Sequence, residues 1–379
     1  MNCQSAKREE LNAMLGELLV DIYSGYKHRP HVSKSTWLLD SNVMEPDFRV
    51  LDLLGEGSFA QVFKCVEKKT KAPFALKEFD TTKDGYERNI VQQEIKIWKG
   101  LEHENIVKLY ANFRSGKYLY FVMEFMEGGN LFNDMMERHR YSEKEAASIL
   151  RQVLEALQYL HSKRIVHRDI KPDNILLQSK RSPDSRQPII AKIGDFGFAV
   201  RLPKDSDVIH CQAKGAPMFL APETILEDPI GCPVDIWSCG VLLHTMIVGY
   251  PPFWDDNNEK MLLSAVRGQY SLSTTCWRKV SSSCKDLVKR MLCVSSSQRV
   301  TASSALKHPW VFKMSLSSPC PHRKEHKFLC QQTLSTKLKS TLSKLHASMG
   351  CTQALGVSKF KGKFFPLHHS AHNLSTLSI

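Results

Sequence analysis

The chain has 379 residues, 42% of them hydrophobic, enough for a sizeable core and two or three domains, which excludes a disordered or fibrous protein for most of its length. Its 52 Lys and Arg against 39 Asp and Glu leave +13, but ten of those bases and only one acid, Glu325, lie from Lys313 onward. The first 312 residues thus carry only +4, which argues against a nucleic-acid-binding face, and the last 67 form a separate basic segment suited to an acidic partner.

Eleven cysteines are scattered without a Cys-x-x-Cys pair, so neither a zinc site nor a disulfide framework is expected and a reducing compartment fits. No basic and apolar leader opens the chain, and no apolar run approaches the ~20 residues of a membrane span. A cytoplasmic protein without a transmembrane segment is expected, with nuclear or peripheral membrane association left open.

Residues 1–47 read as an extension. Within it Leu11, Met14, Leu15, Leu18, Leu19, Ile22 and Tyr23 recur at helical spacing, which predicts one amphipathic helix, packed on a neighbouring domain rather than free to bind a partner. From Phe48 the pattern changes to strand-like runs at 50–54, 61–66, 74–79 and 119–123, and these predict a small antiparallel sheet.

Between the first two runs lies Leu54, Gly55, Glu56, Gly57, Ser58, Phe59, Ala60, Gln61, Val62. Glycines let a backbone approach phosphates and aim its amides at them, although a plain hairpin turn has the same composition. A dinucleotide fingerprint would need a helix after the glycines, whereas a strand follows, so that reading is rejected. Lys77 sits in the third run between apolar neighbours that leave its ammonium one exit, and Glu94, in the helically spaced 91–98, can supply a counter-charge. Taken singly, such a pair is as easily a surface salt bridge.

After Gly128 and Gly129 the chain turns mostly helical. A Ser142-x-x-Glu145 capping box precedes a helix over 142–161 with Ala146, Ile149, Leu150, Val153, Leu157 and Leu160 on one side. The hydrophilic stretch 179–188 reads as an exposed loop. His167-Arg168-Asp169-Ile170-Lys171-Pro172-Asp173-Asn174, followed by Asp195-Phe196-Gly197, brings a carboxylate for a hydroxyl and a lysine for a phosphoryl group. An amide and a second carboxylate then offer hard oxygens for Mg²⁺. In the basic tail Leu334, Leu338, Leu342, Leu345 and Met349 form another helical stripe, placed in a segment 326–351.

With these motifs the chain resembles the eukaryotic protein kinases over residues 48–312, about 70% of its length. Ala221-Pro222-Glu223, the run Asp235–Gly240 and Arg299, which in that family pairs with Glu223, extend the match. The resemblance implies an α+β bilobal protein kinase fold: a β-rich lobe 48–123, a hinge 124–127, a helical lobe 128–312 and a basic tail 313–379. It implies a serine/threonine kinase that uses ATP and Mg²⁺, since Lys171 follows Asp169 as in that branch. Catalysis falls to Asp169 and Lys171. The nucleotide falls to residues 54–62, Lys77, Glu94, Glu124 and Met126, and metal to Asn174 and Asp195. Residues 249–254, 284–292 and 307–310 look like the calcium/calmodulin-dependent group. Stretches 124–128 and 231–235 resemble the kinase domain of the calmodulin-dependent membrane-associated guanylate kinase, and the loop insertion before Lys192 resembles the unc-51-like kinases.

Some positions depart from the family pattern. Ala60 replaces a glycine, Asn130 stands where many basophilic relatives have glutamate, and Gln212 takes the place of an activating threonine. Ala216 replaces the threonine that bonds the catalytic aspartate and lysine. Ala60 is expected to have little effect and Asn130 bears on preference for a basic substrate, whereas Gln212 and Ala216 predict a slow kinase, with a nucleotide-binding pseudokinase scaffold of little turnover as the alternative. Ser206, between Asp205 and Asp207, is the only hydroxyl residue between Asp195 and Glu223, and Arg168 is expected to pair with one of those acids. The implied partners are a protein substrate and, through the tail helix, calmodulin or another acidic protein, with a helix packed on the larger lobe as the plainer reading.

Overall fold

The computed structural model describes residues 48–56, 60–83, 86–138, 140–180 and 189–316. The helical stripes expected at 11–23 and 334–349, residues Gly57, Ser58 and Phe59, and most of the 179–188 stretch lie outside them.

Five strands make the first sheet: β1 (Phe48–Glu56), β2 (Ala60–Glu67), β3 (Pro73–Asp80), β4 (Leu109–Ser115) and β5 (Tyr118–Glu124). All pair antiparallel in the order β1-β2-β3-β5-β4. Four of them cover the runs expected from apolar patterning. The fifth, β4, is an edge strand whose alternation is interrupted by a register shift between Leu109 and Ala111 and whose Tyr110 and Arg114 face solvent, so no period-2 signal marks it. The cross-strand pair Phe113 and Tyr120, stacked with centroids 4.9 Å apart, anchors it on β5. The turn between them uses Gly116 at φ +56°, a left-handed position that glycine adopts without steric cost.

Helix α1 (Arg88–Trp98) packs on this sheet through Val91, Ile97 and Trp98. Trp98 donates its indole N–H to the Val107 carbonyl at 2.7 Å, so burying the ring leaves no polar atom unpaired.

The second half is helical: α2 (Leu131–Arg138), α3 (Glu143–Ser162), α4 (Pro222–Ile225), α5 (Pro233–Val248), α6 (Asn258–Val266), α7 (Ser282–Met291), α8 (Ala302–Leu306) and α9 (Pro309–Leu316). The capping box expected at Ser142 and Glu145 forms at the start of α3, each side chain bonding the other's backbone N–H. Helix α5 is mostly apolar and surrounded on all sides: Val234 to Val248 are buried, and Gly249 ends it at φ +85°. Glu143 accepts from the Ser281 amide at 2.9 Å and from the Trp310 indole at 2.7 Å, which ties α7 and α9 to the start of α3. The boundary read at Phe312 therefore falls inside the last described helix. Each large apolar side chain buried in this lobe contributes roughly 1.5–3 kcal/mol.

Two short ladders cross the top of the helical lobe, β6 (Ile165–Val166) with β9 (Val200–Arg201) and β7 (Ile175–Leu177) with β8 (Ala191–Ile193). They fix the two loops that carry the polar motifs, facing the sheet across a cleft. Among the described residues no helix is long and apolar enough to cross a membrane.

Candidate active site

Three charges meet where the sheet faces the helical lobe. Lys77, in the middle of β3, reaches Glu94 of α1 at 2.8 Å and Asp195 at 3.0 Å. Glu94 is 2% exposed, and burial, with the like charge of Asp195 adding to it, pushes its carboxyl up to about 6 despite the adjacent lysine. The Asp195 side chain is half exposed, and against the partial loss of water around it the Lys77 ammonium, with Lys171 and the Gly197 amide, holds the carboxyl at about 2. Burial would lower Lys77; the two carboxylates prevail and keep its ammonium above the usual range. Asp195 itself has φ +58°, a left-handed backbone that Asp tolerates better than most residues and that costs about 1–2 kcal/mol.

The loop after β6 supplies the second group. Asp169 Oδ2 lies 2.8 Å from Lys171 Nζ and accepts from Asn174 Nδ2 at 2.8 Å. The same Asn174 amide donates to the Asp169 carbonyl, also at 2.8 Å, so the carboxylate is fixed through one oxygen and Oδ1 has no donor among the described residues. Asn174 Oδ1 and Asp195 Oδ2 likewise lack a donor there, and two such hard oxygens on adjacent loops suit Mg²⁺. Burial lowers Lys171, but Asp169, Asp173 and Asp195 together raise it.

Sequence reading did not single out what holds this loop. Asp235 of α5, fully buried, accepts from the backbone amides of His167 at 3.0 Å and Arg168 at 2.8 Å, with the His161 ring at 2.9 Å. Burial raises its carboxyl, and these donors reverse that and lower it. His167, also buried, lies 3.2 Å from the Gly194 carbonyl and packs on Phe196, which meets Trp98 at 5.2 Å. Asp235 stood inside a recognised motif, but nothing local showed which amides it would face.

Downstream, Gln93 of α1 donates to the Ala199 carbonyl at 2.9 Å. Arg299 meets Glu223 in a bidentate pair at 2.7 and 2.9 Å, its guanidinium fully buried, and also reaches the carbonyls of Cys293, Pro233 and Val294. Arg168 does not pair with Asp205 or Asp207 as expected. It donates to the Gln212 carbonyl at 2.7 Å, while Asp207 pairs with Arg164 at 3.1 Å. Loop geometry decides this: Arg168, at φ +68°, is turned toward 212, and Arg164 stands closer to 207. Gly215, at φ +121°, lies where an added Cβ would meet the Arg168 carbonyl at 3.1 Å. Ala216 is buried and its carbonyl accepts from the Phe219 amide.

On the sheet side, Glu56 and Gln61 pair across the β1–β2 hairpin, and Ala60 and Val62 pack on the core. Leu54 is exposed and Gly55 has open space around it; Gly57, Ser58 and Phe59 lie outside the described residues. At the end of β5 the Glu124 carboxylate meets Lys192 at 2.7 Å. Met126 is buried, and its amide has no acceptor among the described residues. Asn130, read as a departure from a substrate-binding glutamate, accepts from the Asn133 amide at 2.9 Å in the first turn of α2, the part an N-cap plays.

The protein kinase domain family matches residues 48–311. The chain is 36% identical over 280 residues to the calcium/calmodulin-dependent protein kinase type II subunit delta of Oryctolagus cuniculus, covering 74% of this chain. It is 37% identical over 280 residues to calcium/calmodulin-dependent protein kinase type II of Caenorhabditis briggsae, again 74% of this chain. In each case the match spans 51% of the relative's own length.

Proposed function

This chain belongs to the protein kinase family, and we propose that it is an ATP-dependent serine/threonine kinase that transfers the γ-phosphoryl group to a protein hydroxyl. The observation that carries the reading is the Asp169 carboxylate, held on one oxygen by Lys171 and Asn174, beside an Asp195 paired to Lys77.

Asp169 Oδ1 is left to accept the acceptor hydroxyl's hydrogen bond and then its proton as the oxygen attacks. Lys171, kept charged by its acidic neighbours, screens the phosphoryl group in transfer. Lys77 aligns the α- and β-phosphates, with Glu94 holding its side chain in place, and residues 54–62 cover them. The Glu124 carbonyl and the Met126 amide take the adenine edge. Asn174 and Asp195 would hold Mg²⁺, which would supply neutralisation of the phosphate charge.

The reading extends to a kinase domain of 48–312, whose last helix continues to Leu316, with a hinge at 124–127, to a cytoplasmic location, and to a basic tail, 313–379, that restrains the kinase and binds calmodulin or another acidic protein. The calmodulin dependence in the relatives' names supports the last point. Ala216 and Gln212 favour the second reading, a nucleotide-binding scaffold of low turnover; the Asp169, Asn174 and Asp195 arrangement opposes it. Phosphate incorporation into a generic protein substrate by wild type and Asp169→Asn tests the choice. The variant is expected to lose transfer and keep ATP binding, and equal incorporation by both sinks the kinase reading.

A further inference from the structure

Arg164 occupies the turn between α3 and β6 with φ +59°, in the left-handed region that suits glycine and strains an arginine. Each nitrogen of its guanidinium is nonetheless engaged, and all on one segment. Nε and Nη2 donate to the Pro203 carbonyl at 3.1 and 2.7 Å, Nη2 also to the Ser206 carbonyl at 2.6 Å, and Nη1 faces Asp207 at 3.1 Å. The Arg164 carbonyl in turn accepts from the Leu202 amide at 2.8 Å. Ser206, the hydroxyl residue of this segment, is turned inward on its own backbone, accepting from the Val208 amide and donating to the Val208 carbonyl. Directly beyond, Ile209 bridges Ile230 in both directions, and Arg168 holds the Gln212 carbonyl.

We propose that Arg164 is a positioning residue that clamps segment 202–207, and through it the acceptor side of the cleft, without any phosphate on the segment. Asp207 is 92% exposed, so its ion pair is screened and contributes little. The carbonyl bonds do most of the holding, since a charged donor strengthens each of them and one planar fork spans two carbonyls. A phosphate on Ser206 would disrupt this turn rather than build it, because the hydroxyl already caps Val208 and Asp205 and Asp207 flank it.

The effect on turnover rests on the kinase reading; the order of the segment does not. The test compares the full chain with Arg164→Gly and Arg164→Lys, by hydrogen exchange and limited proteolysis over 202–212, by thermal midpoint, and by acceptor and ATP KM. Arg164→Gly is expected to expose the segment about tenfold while the midpoint stays or rises, because glycine adopts the turn freely. Acceptor KM is expected to rise roughly tenfold with ATP KM unchanged, and Arg164→Lys, which reaches one carbonyl, to recover part of it. Phosphatase-treated wild type is expected to keep its protection. Full protection in Arg164→Gly, a fall of midpoint with a rise of both KM values, or loss of protection on dephosphorylation would each overturn the clamp. A wild type without phosphate transfer would overturn the kinase reading and leave exchange to decide the clamp.

Discussion

Lys77 and Asp195 meet at 3.0 Å across the cleft, joining the middle of β3 to the turn after β8. Each stabilises the other's charge, and Glu94 holds the same ammonium from the side of α1 at 2.8 Å. Lys77→Met is expected to release Asp195 from its depressed range and abolish the thermal shift that MgATP gives the wild type. Transfer is expected to fall by about 10²-fold or more. A retained shift in the variant would contradict the role given to Lys77.

Glu94 predicts a dependence on pH. Its folded value, about 6, lies above the unfolded one of about 4.3. A raised carboxyl favours the folded state below the unfolded value, and that contribution is lost as pH rises through the folded one. The support of Lys77, however, needs the carboxylate. Between about pH 4.5 and 6.5, kcat is expected to rise while the Glu94 share of stability falls, and Glu94→Gln is expected to remove both trends. A kcat limb that persists unchanged in Glu94→Gln assigns it to another group. Asp195, held at about 2, has the opposite sign: its contribution is present above about 3.9 and is lost as pH falls toward 2.

Ala216→Thr is expected to raise kcat. The methyl group of Ala216 gives no hydrogen bond to Asp169 or Lys171, whereas a hydroxyl there joins both in the resembling kinases. One such bond is worth ~0.5–1.5 kcal/mol, or roughly 2- to 12-fold in rate if it is felt in the transition state. The gain stays modest because Lys171 and Asn174 already fix Asp169 through Oδ2. Steady-state kinetics with ATP KM unchanged is the check, and an unaltered kcat in a folded protein makes Ala216 a neutral change.

Arg299→Ala is expected to cost about 3–5 kcal/mol, because Glu223 would remain buried without its partner. Replacing both residues with apolar ones of similar volume is expected to recover much of that loss, since no charge is then left unpaired. Urea unfolding of the single and double variants distinguishes the two outcomes; a double variant as unstable as the single one would show that the pair itself, not the stranded charge, matters.

Truncation before Pro319 is expected to raise activity if the basic tail restrains the kinase. Calcium-loaded calmodulin is expected to bind a 326–351 peptide. Equal activity of the truncated and full chains, with no calmodulin binding, would give the tail another role.

Contiguous spacing carried most of what the chain disclosed before its fold was known. Asp169, Lys171 and Asn174 fall within six residues, and Asp195-Phe196-Gly197 within three, so short-range geometry already groups their chemistry. The Ser142 cap and the four patterned strands were legible for the same reason: periodicity and capping act over one or two turns. Partners far apart in the chain were a different matter. Lys77 and Asp195 stand 118 residues apart and Asp235 stands 68 from His167; apolar pattern reports which face is buried, not which donor waits there. Edge strand β4, the exchange by which Arg164 rather than Arg168 takes Asp207, and the use of Asn130 as a cap were settled only in the folded chain. There sheet order and loop crossings decide which group each polar atom can reach, and burial makes an unmet one costly.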